Sequence, residues 1–132
     1  MYRWVEHTGE LELEIAGEGP EEVLAEAATA LRELLGAGGA PTGPATRRIV
    51  TAQAPDRPAL LAAFIEELVF LAESESLVPI GLRRVELDEG LARAEVEVAR
   101  ADPPHLVKAV TYHRLEFEPA EHGYRARVVL DV

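Results

Sequence analysis

Two stretches with apolar residues at helical spacing occupy the first half of this chain, and the second half switches to period two. That order limits the fold more than any other feature. Val23, Leu24, Ala27, Ala28, Leu31, Leu34 and Leu35 form one stripe. Leu60, Leu61, Phe64, Ile65, Leu68, Val69 and Leu71 form a second, built of large side chains and expected at the centre of the core. After Ser74-Glu75-Ser76 the spacing changes. Leu82 to Leu87 reads as a strand, Asp88-Glu89-Gly90 as a turn, and Ala92, Ala94, Val96 and Val98 alternate with Arg93, Glu95 and Glu97. His113–Glu118 and Tyr124–Asp131 read as a hairpin joined through Pro119–Gly123.

The earlier elements have recognisable ends. Leu11-Glu12-Leu13-Glu14-Ile15 alternates strictly, apolar to one side and glutamate to the other, as a half-buried strand does. Pro20 suits a first helical position, and Gly36 marks a helix end. Residues 36–44 read as a mobile loop, Arg47–Ala52 as a short strand, and Asp56 as the cap of the second helix. Helices early and strands late give an α+β class. The expected architecture is a two-layer sandwich, one mainly antiparallel sheet of five or six strands with both helices on one face. Residues 1–132 are expected to form a single domain, a length sufficient for one core.

Charge and cysteine content narrow the function. The 24 acidic residues outnumber the 13 basic ones, for a formal net charge of −11. Phosphate neutralisation drives nucleic-acid binding, so direct binding of RNA or DNA is not expected, nor is binding to anionic membrane. Basic protein surfaces and cations are the favoured partners. With no cysteine, disulfides, thiolate zinc sites and a cysteine nucleophile are excluded. The opening residues are too polar for a signal peptide and no apolar run reaches bilayer length, so a cytoplasmic protein is expected.

Three constellations could carry chemistry. If the strand after Glu10 pairs antiparallel with the last strand, then Glu10, Asp131 and the Val132 carboxylate meet. Oxygen-only ligands suit hard cations such as Ca²⁺, Mg²⁺ or Mn²⁺. The plainer alternative is a frayed end and a solvated glutamate. Lys108-Ala109-Val110-Thr111-Tyr112-His113 is the second. Extended, it would point Lys108, Val110 and Tyr112 one way and Ala109, Thr111 and His113 the other. Lys108 could neutralise a metal–carboxylate cluster or reach a partner's phosphate, or be an ordinary surface lysine. The third is the set His7, His105, His113 and His122, which lacks the i, i+4 spacing of a helical zinc pair. Gly36-Ala37-Gly38-Gly39 follows a helix instead of opening one, so it is no phosphate cradle. There is no Gly-x-Ser-x-Gly elbow, and Ser74 and Ser76 sit at a polar helix end.

Glu6-His7-Thr8-Gly9-Glu10, Lys108–His113 and the closing Val129-Leu130-Asp131-Val132, in that order, resemble the archease family across essentially the whole chain. The helix start Pro20-Glu21-Glu22-Val23 and Phe64-Ile65-Glu66-Glu67-Leu68 also sit where that family has them. The resemblance implies a non-catalytic protein, not an enzyme, that activates the tRNA-splicing RNA ligase. That ligase joins 3′-phosphate or cyclic-phosphate ends to 5′-hydroxyl ends in tRNA splicing and RNA repair. The activator promotes guanylylation of the ligase and its multiple turnover. The resemblance further implies a divalent ion, calcium foremost, held at positions matching Glu10, Asp131 and Val132, with Lys108 as the matching lysine. Gly9-Glu10 stands where the family has Ala-Asp. Glutamate keeps the charge but carries its carboxylate roughly 1–1.5 Å further out, a change calcium tolerates better than magnesium. Two other classes fit the same carboxylates: a metal-dependent phosphoester hydrolase and a chaperone-like binding module.

Overall fold

The computed structural model describes residues 1–36, 41–103 and 107–132. In chain order the elements are β1 (Tyr2–His7), β2 (Glu10–Gly17), α1 (Pro20–Leu35), β3 (Thr42–Gln53), α2 (Arg57–Glu75), β4 (Leu77–Asp88), β5 (Leu91–Arg100), β6 (Ala109–Ala120) and β7 (Gly123–Asp131). The α+β class holds. The strands, however, divide into two antiparallel sheets instead of one: four in the order β1-β2-β7-β6 and three in the order β3-β5-β4.

Helix α2 explains the division. Ala59, Leu60, Leu61, Ala62, Phe64, Ile65, Leu68, Val69 and Ala72 are all buried, so apolar surface runs most of the way round it. One sheet face covers only one stripe of a helix, and a helix apolar on several sides needs walls on several sides. Both helices accordingly pack on strands of both sheets. The expectation of helices on one face of one sheet is corrected for this reason. Local signals hold well. Asp56 Oδ1 accepts the Ala59 main-chain N–H at 2.8 Å, capping α2, and α1 runs from Pro20 to its cap at Gly36.

Two further differences concern extent. Strand β1 was not expected. Tyr2 and Trp4 face the core beside α1 and Arg3 faces out, but Val5, also on the outer face, breaks the alternation. Of the expected 36–44 loop, residues 37–40 lie outside the described residues, and Thr42–Pro44 belong to β3. There Thr42 pairs with Arg100 before the register shifts to Thr46–Val98. Pro44 cannot donate to a ladder and sits, as such residues must, on an edge strand.

The pairing of β2 with β7 is unbroken from Glu10–Asp131 to Gly17–Tyr124. Its far end is closed by a tight approach. Gly123 has φ +101°, and a Cβ there would collide with the Gly17 carbonyl oxygen and press on Glu18 Cα at 3.1 Å. All of these are backbone atoms that cannot swing aside. Gly123→Ala is therefore expected to cost about 2–4 kcal/mol of stability, read as a lowered midpoint in urea unfolding. A midpoint equal to that of the parent chain would show that this end of the sheet yields.

Candidate functional site

Directly opposed residues of an antiparallel pair share a face, so the register sets out the outer face of the four-stranded sheet row by row. The first row is His7, Glu10, Asp131 and Ala109, each opposite the next. The main chain knits this end together. The Val132 N–H donates to the Gly9 carbonyl at 3.1 Å, and the Lys108 N–H donates to the Asp131 carbonyl at 2.7 Å. Gly9, at φ +73°, makes the turn from β1 to β2 in a conformation side-chain-bearing residues rarely adopt. Three segments far apart in sequence thus share one end of one sheet.

The structure brings Glu10, Asp131, Val132 and the Lys108 backbone together. It does not bring the histidines together. His7 is exposed on the first row, His113 is exposed within β6, and His122 is exposed at the β6–β7 turn. His105 lies outside the described residues. Among the described residues no group of three or more His, Cys, Asp or Glu side chains is placed to hold a metal ion. The oxygen-bearing groups at the tip are the Glu10 and Asp131 carboxylates, opposite each other in register, with the Val132 main chain next to them. An all-oxygen set of this kind fits a hard divalent cation and does not fit zinc.

The second row holds what the sequence did not reveal. It runs Val5, Glu12, Val129, Thr111. Glu12 was read as a solvent-facing glutamate, yet it is 4% exposed, the one buried charged residue among those described. Its Oε1 lies 2.8 Å from Arg114 Nη1 and its Oε2 lies 3.8 Å from Arg127 Nε. Neither contact is a well-aligned hydrogen bond: Glu12 Oε1 and Arg127 Nε are both left without one. The carboxylate is held by charge more than by directed bonding, which suits a pair of arginines in a poorly solvated place.

Arg114 reaches Glu12 because β6 is interrupted. The register jumps between Thr111–Val129 and Glu116–Arg127, and Arg114 takes a left-handed φ of 59°. This bulge turns the guanidinium back across β7, which lies between β6 and β2 in the sheet. Val129, opposite Glu12 on this face, is buried as well. The alternation expected over Lys108–His113 fails at the same bulge: Tyr112 is 63% exposed. The only sequence signal for this arrangement was arginine spacing, Arg114 just past the lysine motif and Arg127 before the last apolar run. Further along, Arg3 pairs with Glu14 and Arg125 bridges Glu116 and Glu118. The Arg3 hydrogen bond holds the Glu14 carboxyl below its ordinary range, and Arg48 does the same for Glu75.

Comparison with known proteins agrees with this fold. Residues 2–132 match the model of the "Archease protein family (MTH1598/TM1083)". "Protein archease" of Methanosarcina mazei is 31% identical over 140 residues, covering 99% of this chain and 95% of the relative. "Protein archease" of Methanopyrus kandleri is 30% identical, covering 97% and 96%. Among solved structures, the solution structure of Methanobacterium thermoautotrophicum protein 1598 superposes with a TM-score of 0.74 at 24% identity, covering 99% of this chain and 98% of that one. The crystal structure of an archease, possible chaperone, from Thermotoga maritima superposes with a TM-score of 0.68 at 23% identity, covering 100% and 98%. The fold is thus that of the solved archeases. This chain belongs to the archease family. Among the described residues no helix is long and apolar enough to cross a membrane.

Two outcomes test these ion pairs, the first at the Glu12 network and the second at the exposed pairs Arg3–Glu14 and Arg48–Glu75. Arg114→Ala leaves Glu12 buried with Arg127 alone at 3.8 Å. Because Arg114 is itself partly solvated, the expected loss is about 1–3 kcal/mol, and adding Glu12→Gln should restore part of it. If Arg114→Ala unfolds at the parent's midpoint, Glu12 does not depend on the pair. The second outcome concerns pH. A carboxyl held low in the folded state stabilises above its unfolded value, and that stability disappears as pH falls through the carboxylate range. The double variant Arg3→Ala/Arg48→Ala should therefore lose less stability than the parent between about pH 5 and pH 2. Superimposable acid-unfolding profiles would remove these pairs from the account.

Proposed function

We propose that this protein is a non-catalytic activator of an RNA ligase that joins 3′-phosphate or cyclic-phosphate ends to 5′-hydroxyl ends. It would promote guanylylation and multiple turnover of the ligase in tRNA splicing and RNA repair. One observation supports this most: the His7–Glu10, Lys108 and Asp131–Val132 segments, which carry the archease resemblance, converge on one end of one sheet. Family membership supports it independently.

In this reading Glu10, Asp131 and the main-chain oxygens of Val132 hold a divalent cation, Ca²⁺ foremost, with Mg²⁺ and Mn²⁺ as the alternatives. The bound cation would supply positive charge at an otherwise anionic tip. Lys108, exposed and bonded through its main chain to Asp131, would meet triphosphate or acidic groups at the ligase's nucleotide site. The net charge of −11 directs the tip to a basic protein surface in preference to the RNA itself. The Thermotoga maritima relative's description as a possible chaperone favours a second reading, a chaperone-like binding module, which predicts stimulation that does not depend on the tip.

The test is guanylylation and multiple-turnover ligation by the host organism's ligase, with and without the full chain. The parent chain should raise both. Asp131→Ala and Lys108→Ala should each lower the stimulation by at least about tenfold while keeping the parent's unfolding temperature. No stimulation by the parent chain would contradict the activator reading. Full stimulation by both variants would move the working surface away from this tip.

A further inference from the structure

An open groove of about 290 Å³ lies between α2 and the start of β6. Val69, Val107 and Val110 give it an apolar floor, the first two buried and the third partly so. Its helical wall is Glu66, Phe70 and Glu73, an i, i+4, i+7 stripe that is exposed throughout. Phe70 is 59% exposed. It falls outside the core stripe of α2, and the described residues leave more than half of this phenylalanine in water between two glutamates. Lys108 contributes the opposite wall.

Two observations indicate what the groove takes. The first is charge: two carboxylates against one ammonium leave it anionic, and Glu67 is exposed alongside. A comparable hollow on the outer face of the three-stranded sheet is lined by Arg84, Glu86, Arg93 and Glu95, whose charges cancel, so it selects no partner by charge. The second is continuity. Lys108, which lines the groove, is bonded through its main chain to Asp131 at the tip. Groove and tip thus adjoin at Lys108, within reach of one partner surface.

We infer that the groove is a second docking point for the partner protein. It accepts an apolar side chain flanked by arginine or lysine on the partner's surface, with Phe70 as the anchor and Glu66 and Glu73 as the flanking charges. The inference rests on the ligase reading above and adds to it a contact surface with a stated chemistry. On this account the tip determines how strongly the bound ligase is activated, and the groove determines how tightly it is held.

The experiment measures ligase stimulation against concentration of the full chain, for the parent, Phe70→Ala and the charge reversal Glu66→Lys/Glu73→Lys. Each variant should need about tenfold more protein for half-maximal stimulation, with an unchanged plateau. The penalty of the charge reversal should shrink as salt is raised. Phe70 is exposed, so its truncation should leave the unfolding temperature unchanged, and the charge reversal serves as the independent variant. If the parent stimulates and both variants match its half-maximal concentration, the groove is not a docking point and the activator reading stands. If the parent neither binds nor stimulates the ligase, both proposals fall together.

Discussion

The antiparallel pairing of β2 with β7 is the constraint on which the candidate site depends. Leu13, opposite Val128, and Leu11, opposite Leu130, place their side chains on the inner face. Slipping this pair by one residue would reverse β2, sending leucines to solvent and Glu12 and Glu14 into the core. Core burial thus fixes the register, and the register sets Glu10 against Asp131. The outer face requires the same alignment, because Glu12 meets Arg127 only in it. Two unlike forces, apolar burial on one face and ion pairing on the other, select a single arrangement. The tip follows from that arrangement and needs no contribution to stability of its own.

Features set by local periodicity were legible before any coordinates. Leu11–Ile15 alternates and is a strand; the two apolar stripes are helices; Asp56 precedes Arg57-Pro58 and caps α2. The meeting of Glu10 with Asp131 was legible for a related reason: a half-buried alternating strand near one end and another near the other end gave each a partner. The division into two sheets was not, since it depends on how apolar surface around α2 is shared between distant strands. The bulge after Thr111 was not either. A left-handed arginine leaves no mark in a sequence as a glycine would. The burial of Glu12 depends on that bulge, so one invisible backbone event concealed both. Phe70 was half legible: it falls outside the core stripe of its helix, but only packing shows how much of it the described residues leave exposed.

These elements suggest a division of labour within a strongly acidic chain. Most of its carboxylates are spread over exposed positions, where they favour solubility and basic partners. A few are placed. Glu12 is buried and ties three strands together; Glu10 and Asp131 stand opposite each other in register; Glu66 and Glu73 flank an exposed aromatic ring. The same functional group thus serves as a structural tie at Glu12 and, in the two proposals above, would serve as a cation ligand and as a docking charge, according to its burial and its neighbours.

That acidity also supplies the main rival to the account, because a chain with a net charge of −11 attracts divalent ions diffusely over its surface. Paramagnetic broadening of backbone amide signals by substoichiometric Mn²⁺ separates the two cases. A cation seated between Glu10 and Asp131 broadens the amides of Gly9, Glu10, Lys108, Asp131 and Val132 first and together, and Asp131→Ala abolishes the effect. Broadening that begins instead around scattered exposed carboxylates such as Glu86 and Glu89, and persists in the variant, would contradict it.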